Sequence, residues 1–333
     1  SPLPSQAIPD HGGLVTLAEL RERAAAARSG HEPEASAVRD LLGWAATAVE
    51  DRPKPKEPLK IGGTTGSFVD DTATAYGLAL AWGVSDDPRY AEAARDDVRA
   101  WVQTTKTLED ACPDGGECQT SLIVSRVAPG FVFAMDLTST APGADPADDA
   151  AFRAWLTAVI LPAASRRSNN WGDAGAFLRV AATDYLGDDA GLEDALGFWH
   201  EQLDRIEPSG EIPEETRRGS SGLSYTQEAL LYRLAVARIA ERRDVDLWDA
   251  RGAGGGTLKA AVDLAARYQA DPSGWPFGGR VDNPTVGPGW ELAYAHWPEP
   301  AIAALIRDLR PFGADGHSAI RWTTLTNGIP IQP

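Results

Sequence analysis

Two short stretches carry the residue types that could do chemistry. The run PEETRRGSSGLSY (213–225) holds Glu215, Arg217, Arg218 and Tyr225 around a glycine-rich bend, and Asn169-Asn170-Trp171 lies about forty residues upstream. An amide and a guanidinium are suited to holding a carboxylate, the amide by one directed donor and the guanidinium by its fork. A phenol beside a cation is suited to moving a proton, because the cation favours its ionised form. Arg218 and Tyr225 are seven residues apart, two helical turns at most, and the 219–222 bend allows closer approach. Each residue also has a plain structural reading. Tyr225 could be a core tyrosine, Arg218 could pair with Glu214 or Glu215, and Asn170 could be a helix N-cap before Gly172-Asp173. Trp171 could be core packing, although its polar context favours a cleft wall.

The elements that must position these residues are helical. The chain has 333 residues, 43% hydrophobic and 24% charged, with 11 Trp, 8 Phe and 7 Tyr to bury; this is a globular composition with material for a large core. Thr16 with Glu19 makes a capping-box pattern. Apolar residues at helical spacing predict a helix over 34–50 and a buried one over 68–82. Asp87-Pro88 and Asp145-Pro146 open further helices, the second running to 164. Another apolar stretch covers 121–137, with an interruption at Pro129-Gly130. Helices over 173–186, 191–206, 223–243, 257–270 and about 290–310 complete the pattern. RGAGGGT (251–257) reads as a flexible connector and not a phosphate cradle. The tail HSAIRWTTLTNGIPI is the one strongly strand-like piece. Residues 1–15, with three prolines, read as an extended arm, and 16–333 as a single all-α domain. Helices apolar on several faces need wrapping on both sides, as in the inner ring of a layered helical barrel.

The formal net charge of −17 opposes nucleic-acid and anionic-membrane binding. No run of about 18 apolar residues is present to span a membrane. The first residues, SPLPSQAIPDHGG, contain no signal core, so a mature product with its signal removed is expected. Cys112 and Cys118, the only cysteines, flank a turn-rich loop. A disulfide closing it is expected, and with it a secreted, extracellular location; a pair of free thiols is the alternative. The five histidines show no metal-ligand spacing, and no metal or cofactor is expected. His296, in YAHW, is the histidine best placed to enter a cleft. Trp275 and Trp290 near the 271–289 loop suit sugar stacking, with ordinary burial as the alternative.

The 213–225 run resembles the PLExARGRxxLHY motif of the alginate-lyase-type polysaccharide lyases. Pro213, Glu215, Arg218, Gly219, Leu223 and Tyr225 match without a gap. Asn169-Asn170-Trp171 resembles the NNH motif of the same family, at similar spacing. ATAYGLALAWGVSDDPRYAEAARDDVRAWV and WELAYAHWPEP are similar to further segments, so the likeness covers roughly 60–300. It implies an (α/α) toroid or incomplete barrel of helical hairpins, and metal-independent β-elimination on an anionic, uronate-containing polysaccharide. Arg218 and Asn170 would neutralise the uronate carboxylate and Tyr225 would transfer the proton. Asn169, Trp171, Glu215, Arg217, Trp275, Trp290 and His296 would line the substrate site of a monomer. The chain departs from the family at Trp171 and Ser224, where histidines stand. Trp171 offers one donor and a stacking face and no base. A tyrosine-only elimination, a changed reaction, or sugar binding without turnover follows. A glycoside hydrolase on a related toroid, with a carboxylate pair such as Asp70-Asp71, is the other alternative.

Overall fold

The computed structural model describes residues 13–116, 118–281 and 285–332. Most of the proposed arm, residues 1–12, lies outside them. Helix starts fall where local chemistry puts them. Thr16 and Glu19 exchange both hydrogen bonds of a capping box at the head of α1 (Leu17–Arg28). After α2 (Glu34–Ala48), α3 (Ser67–Ser85) is buried along nearly its whole length. Asp87 caps α4 (Pro88–Thr104), and Asp145 caps α7 (Pro146–Trp155). Between these two, α5 (Gln119–Val127) and α6 (Pro129–Leu137) follow each other with a break at Ala128-Pro129. Contrary to expectation, this 19-residue stretch is long and apolar enough to cross a membrane, but 94% of its 18-residue apolar window is buried inside the protein, as in a core helix. Past Trp155 the expected helix to 164 loosens into a π turn and then a 3-10 turn.

The hairpin of α8 (Asn170–Leu186) and α9 (Asp189–Leu203) follows, turning on Gly187. A short α10 (Pro213–Thr216) leads to α11 (Gly222–Glu241) and α12 (Leu258–Ala270). Then come α13 (Gly289–His296), α14 (Pro300–Ile306) and α15 (Thr323–Asn327). The helices α3, α6, α8 and α11 pack successively on one another, with α4, α9 and α12 laid on their outer sides. This is an (α/α) toroid built of helical hairpins.

Three expectations need correction. The helix expected over 290–310 is two, because Pro298 and Pro300 cannot continue it. The tail expected as a strand is not one: Trp322 takes φ +58 and the chain turns into α15, buried among the helices. The 251–257 joint is not a loose connector either. Arg251 pairs with Thr257, the Ala253 N–H donates to Asp204 at 2.6 Å, and Gly256 lies against the Ile206 carbonyl.

One buried ion pair locks the inner ring. Asp173, in the first turn of α8, lies 2.8 Å from Arg233 on α11, with side chains 0% and 1% exposed. Removing one partner strands the other charge in an apolar interior. Asp173→Ala is therefore expected to lower stability by about 3–5 kcal/mol, read as a fall in the urea midpoint. Replacing both, Asp173→Leu with Arg233→Met, is expected to recover most of that loss.

Candidate active site

The site forms where the start of α8 meets the bend between α10 and α11. Residues 164–167 cross α8 so closely that a Cβ on Gly172 or Gly175 would sit 1.7 or 1.8 Å from a carbonyl oxygen of Arg167 or Ser165. Only glycine fits there. Arg179 donates to the carbonyls of Ala164 and Ser165 and clamps this segment. Its register is held on the other side by the expected Cys112–Cys118 disulfide loop, whose Pro113 carbonyl accepts the Arg166 N–H at 2.8 Å.

Asn169, and not Asn170, caps α8: its Oδ1 accepts the Trp171 N–H at 3.1 Å. The side chain, expected to bind substrate, here serves through Oδ1 as the cap. Asn170 is fully buried, and neither its Oδ1 nor its Nδ2 has a partner among the described residues. Its backbone N–H donates to Glu215 Oε1 at 2.6 Å. Glu215 is likewise fully buried and lies 3.9 Å, through Oε2, from Nε of Arg218. The Arg218 guanidinium then lies over the Tyr225 ring, 3.9 Å from its centre. Asn170, Glu215, Arg218 and Tyr225 thus form one connected chain of groups, and its last two members are reached by solvent. Gly219, at φ +62, makes the turn that folds Arg218 back onto Tyr225.

Other expected site residues have different employment. Glu215 is a buried brace behind Asn170 and Arg218, out of reach of a sugar. Arg217 points outward, paired with Glu214 at 2.5 Å. Trp275 is 6% exposed, packed edge-on against Tyr268 and Phe277, and its Nε1 donates to the Gly219 carbonyl at 3.0 Å. It is a prop for the bend and offers no face for stacking. Trp290 is also buried, its Nε1 donating to Gln227 at 2.8 Å, and it lines a cavity described below. His296 stacks flat on Trp248 and borders a hollow with Arg238 and Glu241. Those two residues lie 13 and 16 positions beyond Tyr225 on α11, about 20 Å or more along the helix, so His296 does not belong to the cleft. Trp171 remains partly exposed, with one face covered by the Arg167 guanidinium at 3.9 Å. Asp70-Asp71 is no hydrolytic dyad, since Asp71 is spent on the Lys54 N–H and Trp101 Nε1, both at 2.7 Å.

Sequence reasoning missed four residues here: Glu228, Tyr232, Arg126 and His317. Glu228 and Tyr232 continue the Tyr225 face of α11 at helical spacing, which was the available signal for Glu228. Glu228 is met by Arg126 from α5 at 3.1 Å, by the Tyr232 hydroxyl at 2.5 Å and by His317 Nε2 at 3.1 Å. Arg126 is a lone cation in an apolar helix, itself a signal of a buried partner. A cavity of about 260 Å³ opens beside Ser224 and is lined by Gln227, Glu228, Leu231, Trp290 and His317.

The alginate lyase family model matches residues 23–275. The chain belongs to the alginate lyase family. That places it among the polysaccharide lyases. Solved alginate lyases share the fold at low identity. The enzyme from Bacteroides ovatus is 18% identical with a TM-score of 0.68, the match covering 93% of this chain and 98% of that one. Alginate lyase A1-III from Sphingomonas species A1 is 16% identical with a TM-score of 0.72, covering 99% and 100%. A tyrosine-to-phenylalanine variant of A1-III, complexed with a tetrasaccharide, is 15% identical with a TM-score of 0.73, covering 99% of both chains. No curated protein matches the chain.

Within this alginate lyase fold, Glu215 has an unusual acidity. Burial, then the nearby negative charge of Asp173, push its carboxyl up to about 7, against the pull of the Asn170 N–H, Arg218 and Arg233. Unfolded, it ionises near 4.5. A raised folded value means that its contribution to stability is complete below about pH 4.5 and is lost as pH rises to about 7. Glu215→Gln, which has no proton to lose, is expected to lose less stability than the wild type between those limits. Urea midpoints measured across that range check this; parallel curves for the two proteins would refute it.

Proposed function

We propose that this protein cleaves a uronate-containing glycan by β-elimination, with no metal called upon. The observation that carries this reading is the connected run from buried Asn170 through Glu215 to Arg218 and Tyr225, the two members that solvent reaches. The C5 proton of a uronate is only weakly acidic while its carboxylate is charged. Donors aimed at that carboxylate lower the barrier most when they are already in place. Arg218 offers an exposed fork that can meet the carboxylate directly, and behind it the buried Asn170 amide has neither end partnered among the described residues. Glu215 holds the two in register without occupying either amide atom. Tyr225, under the Arg218 guanidinium, delivers a proton to the departing O4. In the simplest route the same oxygen, entering as the phenolate with its own proton already given up to water, first takes the proton from C5. The Cys112–Cys118 bridge supports an oxidising, extracellular place of action.

Trp171 and Ser224, standing where the family carries histidine, favour a second reading: a glycan-binding chain that does not turn over. One assay separates them. The protein is incubated with a panel of polyuronates, and ultraviolet absorbance of the 4,5-unsaturated product is followed beside a binding measurement. Turnover is expected, with Tyr225→Phe lowering kcat about 10²–10⁴-fold and Arg218→Ala about 10²–10³-fold. Saturable binding with no absorbance from any polyuronate would establish the second reading instead.

A further inference from the structure

The geometry points to His317 as a second proton-transfer group of this cleft, the base that takes the C5 proton while Tyr225 serves O4. The inference rests on the β-elimination reading above and assigns its base. His317 is half exposed and borders the cavity that opens beside Ser224, the residue preceding Tyr225. Its Nε2 lies 3.1 Å from Glu228 Oε2, and Glu228 follows Tyr225 by three residues, one turn along the same face of α11. The backbone that carries the ring is anchored as well. Two residues on, the Ala319 N–H donates to the Arg126 carbonyl at 2.8 Å, tying this segment to α5.

The partner decides which nitrogen is free. Glu228 resists the cost of its burial through His317, Arg126 and Tyr232, and its carboxyl is held down to about 2. It is therefore an acceptor only, so Nε2 carries the hydrogen and donates. The lone pair of the neutral imidazole is left on Nδ1, the nitrogen not tied to Glu228. When Nδ1 gains a proton, the Glu228 carboxylate stabilises the imidazolium formed, the arrangement by which a buried carboxylate supports a histidine base. A phenol, by contrast, must first lose its own proton before it can act as a base, and ordinarily does so only near pH 10.

The step balances. The C5–H bond breaks and its proton goes to Nδ1, its electron pair becomes the C4–C5 double bond, the C4–O4 bond breaks, and Tyr225 protonates O4. Water then returns the proton from His317 to Tyr225. Among the described residues the ring meets Glu228 on α11, which in turn meets Arg126 on α5 and Tyr232; Asp315 and Arg321 flank it in sequence, and Asp315 and Asp70 of α3 act on Arg321. Tyr225 lies within electrostatic reach of Arg126.

The test is the polyuronate assay run across pH on wild type, His317→Asn, His317→Ala and Glu228→Gln, with thermal melts to confirm folding. His317→Asn is expected to lower kcat at least tenfold with little change in KM and to abolish the loss of kcat/KM on the acid side. Added imidazole is expected to restore part of the His317→Ala activity, and Glu228→Gln to displace the acid limb. If the wild type eliminates and folded His317→Asn keeps both its rate and its pH profile, His317 is not the base and the lyase reading stands with Tyr225 alone. If the wild type releases no unsaturated product, both readings fall together.

Discussion

Asp173 and Arg233 lie 2.8 Å apart with almost nothing of either exposed, and neither can shift without leaving a bare charge in an apolar interior. This fixes the first turn of α8 against the middle of α11. Asn170 is three residues before Asp173, and Tyr225 is two turns before Arg233, so their separation is set by a contact that touches no sugar. Glu215 adds the third side of the frame by receiving the Asn170 N–H. The cost is an accumulation of buried carboxyl groups, which is why Glu215 holds its proton to about pH 7.

Much of the fold could be read from local sequence because its decisive interactions are local. The Thr16–Glu19 box and the caps at Asp87 and Asp145 each act within one turn, and each begins a helix as expected. The C-terminal tail failed the same reading. Its β-branched residues favour extended backbone in isolation, but burial against the ring and the turn at Trp322 override that preference. The candidate site divides in the same way. The stretch from Glu215 to Tyr225 is contiguous, so spacing alone could suggest that its members meet. His317 and Arg126 reach Glu228 from about 90 and 100 residues away, and no periodicity encodes such a meeting. His296, in YAHW, is the histidine best placed by sequence to enter a cleft; in the structure Trp248 covers one face of it and Trp297 meets it at right angles.

The net charge of −17 poses a question for a protein proposed to bind an acidic glycan. Fields in physiological salt fade over roughly 8–10 Å, so the surface a bound sugar meets matters more than the total. Around the cleft stand Arg126, Arg167 and Arg218. The acidic groups beside them are occupied: Glu215 by a backbone donor and Glu228 by a cation, a hydroxyl and an imidazole. Arg167 is also stacked on Trp171, so the residue that departs from the family's histidine brings a permanent cation to the same place. The local balance at the cleft is therefore far less negative than the whole.

The segment from His317 to Gly328 ties distant helices together. Ala319 is bound to the Arg126 backbone, Gly328 receives a hydrogen bond from Arg23 in α1, and Asn327 meets Arg238 in α11. Residues more than 300 positions apart in the chain are thereby clasped together. A single cut in the backbone between Ile306 and His317 would leave both this clasp and the imidazole facing Glu228 on a fragment held by non-covalent contacts alone. Resistance of that short connection to proteases thus protects the ring and the cleft together.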